Sequence, residues 1–477
     1  MQDISNKNLL SHYKQRIINF WKEIVESITG TEMDFTTGHI GRAVILLSIP
    51  MVLEMTMESV FAVADIFYVS KLGAEAVATV GLTESLLTLV YAIGIGFSMA
   101  TTAVISRRIG EKNKDEAAVS AFQSIIAGFF LSLILALPGI FYAKELLILM
   151  GATPEVAASG YQYTALMLSG NITIMWLFIM NAVFRSAGDA AISMKVLAFA
   201  NMVNIILDPC LIFGWGPFPE MGITGAAIAT NTGRGLAVLY QFYLLFKGHT
   251  RIRIEKFHIR FNLVIIKKLF RISAGGIGQH LIATFSWIFL VRIIAVFGSN
   301  ALAGYTIALR ILLFSILPSF GLSNAAATLV GQNLGAKNPS RAERSVWMTA
   351  YANMVFLGLI GIFFIIFSDK LVQIFIQEND VVKFGSDALK IISFGMITFA
   401  LEMVMLQAFN GAGDTQTPTI INFICFWLIE IPLAYFLAIS IGINQDGVYY
   451  SIIISEALAA FMGMFLFIKG RWKLRVV

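Results

Sequence analysis

Residues 45–72 read ILLSIPMVLEMTMESVFAVADIFYVSKL, long enough to cross a bilayer as a helix. Glu54, Glu58 and Asp65 interrupt an otherwise apolar run. A carboxylate at membrane depth costs at least about 2.5 kcal/mol, so such residues normally face a wet cavity or a partner. At roughly 100° per residue, all three acids fall on one face of a helix. Two readings follow: each acid is satisfied locally by a Ser or Thr of its own helix, or the three line a cation or proton path.

Working outward, similar apolar stretches recur from end to end of the 477 residues. The chain is 57% hydrophobic and 13% charged, with mean hydropathy +0.78. A soluble chain carries about 25% charged residues. Alternating barrel-type patterning is absent, and helices are the other way to satisfy a backbone in lipid. The reading is an all-α polytopic membrane protein with twelve spans, near 45–70, 80–105, 120–143, 161–185, 191–214, 223–246, 270–297, 303–330, 346–368, 388–411, 416–440 and 447–469. An even number places both termini on one side. The segments on that side hold 26 of the 34 Lys and Arg, which predicts that both termini are cytoplasmic. A bacterial-type inner cell membrane is the expected location.

The most informative pattern is an internal repeat. LGAEAVA from Leu72 matches FGSNALA from Phe297, and RRIGEKN ending at Asn113 matches QNLGAKN ending at Asn338. FRSAGDA from Phe184 matches FNGAGDT from Phe409, and Gly222 matches Gly447. Each pair is 225 residues apart without a gap. The halves therefore run in the same sense across the membrane, as two six-helix lobes related by pseudo-twofold symmetry about the membrane normal. The predicted organisation is an N-terminal segment over 1–38, an N-lobe over 39–246, a basic linker over 247–269 and a C-lobe over 270–477. In the first segment Leu9, Leu10, Tyr13, Ile17, Phe20, Trp21 and Ile24 recur near helical spacing, which predicts an interfacial helix rather than a cleaved signal. The basic linker suits anionic lipid heads better than nucleic acid. The GAGD-type turns at Gly188-Asp189 and Gly413-Asp414 read as Gly turns with Asp capping the next helix, and the IGEKN and LGAKN loops as Gly helix stops.

Where the halves disagree, chemistry is expected. Asp65 corresponds to Leu290 and Asp208 to Leu433, so these two acids belong to the first half alone. Asn204 lies one turn from Asp208. Counting along their spans puts Asp65, Asp208 and Thr230 at one depth, in the outer third of the bilayer. Two carboxylates, an amide and a hydroxyl form a hard-oxygen set suited to Na⁺ or to a shared proton. Glu54 and Glu58 lie deeper, as candidates for an inner relay. In the second half Gln279, Glu402 and Glu430 are candidate substrate contacts, with Arg234, Arg292 and Arg310 as possible ion-pair partners and His280 as a packing residue. Cys210 and Cys425 lie within apolar spans and imply neither a disulfide framework nor a metal cluster. No nucleotide-binding or hydrolase motif occurs, so the chain reads as no enzyme, without a cofactor, and any pumping must use an ion gradient.

These residues resemble the multidrug and toxic compound extrusion (MATE) family over nearly everything after residue 38. VADIFYVSKLGAEAVATVGL around Asp65, NAVFRSAGDA, NIILDP, GITGAAIAT and FNGAGDTQTPTIINFICFWLIEIPLAY carry the resemblance. It implies a V-shaped cleft between two lobes and export of organic cations and drugs in exchange for H⁺ or Na⁺, by alternating access. The matching positions put the family's N-lobe cation site on Asp65, Asn204, Asp208 and Thr230, with Thr224 as the alternative. The seventh span, ISAGGIGQHLIATFSW, lacks the acid of the NorM-like branch, which favours the DinF-like branch. The expected partners are small-molecule drugs and membrane lipids, with the protein as a monomer. A flippase for lipid-linked or amphipathic substrates, with a more cationic cleft, and an ion channel are the rival readings.

Overall fold

The computed structural model describes residues 18–30, 33–248 and 250–477. Leu9, Leu10, Tyr13 and Ile17 of the expected interfacial helix lie outside them. The rest of that helix spans 18–29 and exposes Ile18, Phe20, Trp21 and Val25 together. Among the described residues the fold is all helical, with no strand.

The first half contains Ile40–Ser70, Ala74–Gly110, Lys114–Leu149, Pro154–Ala187, Ala190–Phe213 and Ile223–Lys247. The second contains Leu263–Ala295, Ser299–Gly335, Pro339–Gln373, the pair Asn379–Phe394 and Met396–Gly411, Gln416–Ser440 and Gln445–Ile468. We call these the first to twelfth spans. Among the described residues ten helices are long and apolar enough to cross a bilayer, and the tenth span, bent by 55°, makes eleven. The sixth is less apolar because of ATNTGRG, residues 229–235, but its 25 residues extend about 37 Å at the usual helical rise. The fourth and tenth spans break at Gly170 and Gly395, equivalent positions in the repeat. The first span runs through Pro50 as one continuous helix.

Each half has its own apolar core, around Ile179, Val183 and Leu245 in the first and Leu290, Leu357 and Leu389 in the second. Ile265, Leu269 and Ile272, at the start of the seventh span, pack into the first of these cores.

The halves meet closely at the end of the bundle that carries the basic loops. Gly110 of the second span lies on the Gln332 backbone of the eighth, and Gly335 of the eighth lies on the Arg107 backbone of the second. These two contacts exchange under the 225-residue shift, so the seam itself is pseudo-twofold. A Cβ at either glycine would enter the facing backbone. Neither glycine ends its helix by a left-handed turn, contrary to expectation. That conformation falls on Lys112 (φ 59°) and Lys337 (φ 57°), and Asn113 and Asn338 cap the next helices by accepting from the Glu116 and Arg341 amides at 3.0 and 3.1 Å. The glycines are there for close approach.

At the GAGD turns Gly188 (φ 97°) and Gly413 (φ 83°) supply the left-handed residue, as expected. The aspartates serve differently from the expected caps. Asp189 holds Arg251, which follows the sixth span, at 3.2 Å, and Asp414 holds Arg475, which follows the twelfth, at 2.9 Å. Both ends of the chain then cross to the other half. Arg107 donates to the Arg475 carbonyl at 2.6 Å, and Val477 is buried in the first-half core. Arg341 of the ninth span donates to the carbonyls of Gly38 and Thr37 at 2.7 and 2.6 Å, while Phe35 packs beneath the Arg251 guanidinium. This basic end is closed.

Toward the opposite end the halves part. The first span is buried through Ala43, Leu47, Met51 and Glu54 but exposes Val60, Val63 and Phe67 further along.

Candidate functional site: a buried polar cluster beside a central cavity

The fifth and sixth spans pack along their length, which brings NIILDP against ATNTGRG. Asn204 Nδ2 donates to Asp208 Oδ1 and to Thr230 Oγ1, each at 3.2 Å, and all three side chains are buried. Asp208 Oδ2 and Asn204 Oδ1 are buried without a hydrogen-bond partner. Asp65 is half-buried, makes no hydrogen bond among the described residues, and lies close enough for its charge to act on Asp208. Thr230 rather than Thr224 joins the set. Buried polar atoms are rarely left unsatisfied, and two buried acceptors without partners, with a second carboxylate acting on Asp208, fit a small cation or a proton.

Glu54 and Glu58, read above as a candidate inner relay, each have an arginine partner in the first half. Glu54 Oε1 accepts from Arg185 and Asn181, both at 3.0 Å, and Gln241 donates to Asn181 at 2.6 Å. Arg185 sits in the last turn of the fourth span and is buried. Glu58 lies 3.9 Å from Arg234 of the sixth span. Glu84 and Tyr91 of the second span surround the same guanidinium, whose field also reaches Asp65. Arg234 is one helical turn from Thr230. It therefore links the polar cluster to the wall of the cavity.

That cavity, of about 590 Å³, lies between the halves and draws lining from both. The Asp65 cluster does not line it; Glu54, Glu58, Arg185 and Arg234 do. On the second-half side, Glu402 and Glu430 line it as expected, joined by Glu456 of the twelfth span. Sequence reading missed Glu456, although SIIISEALAAF carries the same signal as the first span, an acid inside an apolar run. It missed Glu84 likewise. Arg292 and Arg310 are exposed, and among the described residues they form no ion pair with these acids. Gln279 exchanges two hydrogen bonds with Asn410, at 3.0 and 3.1 Å, and also donates to the Thr415 carbonyl. Its polar groups are thus spent on holding the tenth span. His280 lines the cavity with no second histidine beside it.

The MatE family model matches the chain twice, over residues 50–210 and 277–436, about two thirds of its length and once in each half. The chain belongs to the MatE family. The offset between the two matches is close to the internal repeat. The probable multidrug resistance protein NorM of Thermotoga maritima is 27% identical over 443 residues, covering 92% of this chain and 94% of that protein. The FAD transporter of Shewanella oneidensis is also 27% identical, over 86% of this chain and 89% of its own. Among solved structures, the outward-facing conformation of a multidrug resistance MATE family transporter superposes with a TM-score of 0.86 at 25% identity, over 92% of this chain and 97% of that one. This MatE protein is accordingly a multi-pass membrane transporter and not an enzyme.

Proposed function

We propose that the protein exports drugs and other amphipathic organic cations across the inner cell membrane, coupled to inward movement of H⁺ or Na⁺. The observation that carries this reading is the separation of two sites: a cavity shared by both halves, and a buried oxygen cluster held wholly by the first half. The basic end is assigned to the cytoplasm by the positive-inside rule, so the cavity faces outward here. The basic linker rests on anionic lipid heads, and the transporter acts as a monomer of two lobes, 39–246 and 270–477.

In this scheme Asp65, Asn204, Asp208 and Thr230 take up the coupling ion from outside. Ion uptake by this cluster shifts the field at the Arg234 guanidinium, which lies one helical turn from Thr230 and 3.9 Å from Glu58 on the cavity wall. The acidic wall thereby changes its charge when the ion binds, and cargo leaves outward. The seventh span carries no acid, which supports a DinF-like placement of the coupling site in the first half. A flippase for lipid-linked sugars needs a cationic cleft, whereas five glutamates and two arginines line this one. A channel needs a continuous path, and the basic end is packed shut.

Ethidium efflux from proteoliposomes, under H⁺ and Na⁺ gradients imposed separately, tests the proposal. One of the gradients should drive efflux, and Asp65→Asn or Asp208→Asn should abolish it while the protein stays folded in the membrane. Full efflux by Asp208→Asn would sink it. Because one relative is named for FAD, that dinucleotide belongs in the same assay. Its two phosphates would meet the glutamate wall, so no FAD movement is expected.

A further inference from the structure

The two walls of the cavity differ in how their acids are balanced. On the first-half wall each glutamate faces an arginine, Glu54 with Arg185 and Glu58 with Arg234. On the second-half wall Glu402, Glu430 and Glu456 come from the tenth, eleventh and twelfth spans, and no Lys or Arg of that half lines the cavity. Glu402 is 5% exposed and has no hydrogen-bond partner among the described residues. Glu430 accepts from Ser286 at 2.8 Å and from the Ser455 hydroxyl, and Glu456 Oε2 is buried and unpaired. The three are close enough for Glu456 to feel both of the others.

Two further observations point to a ligand here. Asn422 also lines the cavity, is 7% exposed, and turns up a buried Oδ1 with no partner. The eleventh span is π-helical over Phe423–Glu430 and again over Phe436–Ser440; the first stretch begins directly after Asn422 and ends on a glutamate of the cluster. Such turns cost hydrogen-bond geometry and recur at functional sites. Around the acids stand Trp287, Phe320, Phe399, Phe426 and Met403, giving an aromatic and deformable apolar surround.

We infer that Glu402, Glu430, Glu456 and Asn422 form the cargo subsite of the cavity, and that it takes an amphipathic dication in preference to a monocation. This rests on the export reading above and adds where cargo charge is bound and how much of it. Like charges on one apolar wall repel, and a single cationic nitrogen offsets one of them. Two cationic nitrogens joined by an apolar chain offset two, and the chain lies on the aromatic surround.

The test uses the full-length protein in lipid nanodiscs, with decamethonium as the dication and decyltrimethylammonium as the monocation. Their quaternary charges do not titrate, so the comparison isolates the protein's side. Wild type should bind decamethonium at least tenfold more tightly. Glu402→Gln, Glu430→Gln and Glu456→Gln should each erase most of that preference, while decyltrimethylammonium affinity changes by less than about threefold. Each Gln keeps the volume and removes a buried carboxyl group, so melting temperatures should equal or exceed that of the parent; Asn422→Ala, which leaves the acids in place, provides a fourth variant with a smaller loss. Equal affinity for the two ligands in wild type, or an undiminished preference in the Gln variants, overturns the inference. If gradient-driven ethidium efflux persists in that case, the export proposal stands alone; if no gradient drives efflux, that proposal fails on its own test.

Discussion

Glu54 and Gln279 are equivalent residues of the repeat, and so are Arg185 and Asn410, their respective partners. One half thus holds its fourth span to the cavity wall by an ion pair and the other holds its tenth by an exchange of amides. Removing one member of a buried ion pair leaves a charge without compensation, typically costing about 3–5 kcal/mol. Arg185→Ala should therefore lower the melting temperature strongly, whereas Glu54→Gln with Arg185→Asn, which copies the second half, should recover most of the loss. A thermal shift assay on the two variants checks this; equal destabilisation by both would contradict it. The pairing was not legible beforehand, because sequence periodicity places a residue on a face of its own helix but says nothing about the rotation of the neighbouring helix. Depth was legible. Asp65, Asp208 and Thr230 were grouped by counting residues from the ends of their spans, and that measure survives any rotation.

At the scale of helices, the second and eighth spans cross where Ser106 meets Gly331 and Gly110 meets Gln332. Adding a methyl to such a contact typically costs about 1–3 kcal/mol and pushes the backbones apart. Gly331→Ala should loosen the basic end, and a cysteine introduced near the cavity floor should become reactive to a membrane-impermeant thiol reagent added on the side of the basic loops. No change in reactivity would show that the seam does not hold that end closed. Most helices could be read from hydropathy. The π-helical turns of the eleventh span gave no local signal: FICFWLIE is simply apolar, and its winding depends on what packs against it.

For the whole molecule, closure of the basic end is shared between the seam and the two crossing segments. Arg341 grips the 37–38 carbonyls from one half, and Arg475 ties Asp414 to Arg107 of the other. Spin labels at Lys112 and Lys337 should report a longer and broader distance distribution in an Arg341→Ala, Asp414→Asn double variant than in wild type, with either single change giving less. An unchanged distribution in the double variant would assign closure to the glycine seam alone. The seam also bears on the history of the chain. A contact in which Gly110 meets Gln332 while Gly335 meets Arg107 is isologous, the kind a twofold dimer of one half-length chain would make. In such a dimer every substitution acts twice, so an acid cannot be gained on one side of the cleft alone. Fusing the two copies removes that constraint wherever contact with the twin is not required, and it is there, at Asp65 opposite Leu290 and Glu456 opposite Asn231, that the two copies have parted.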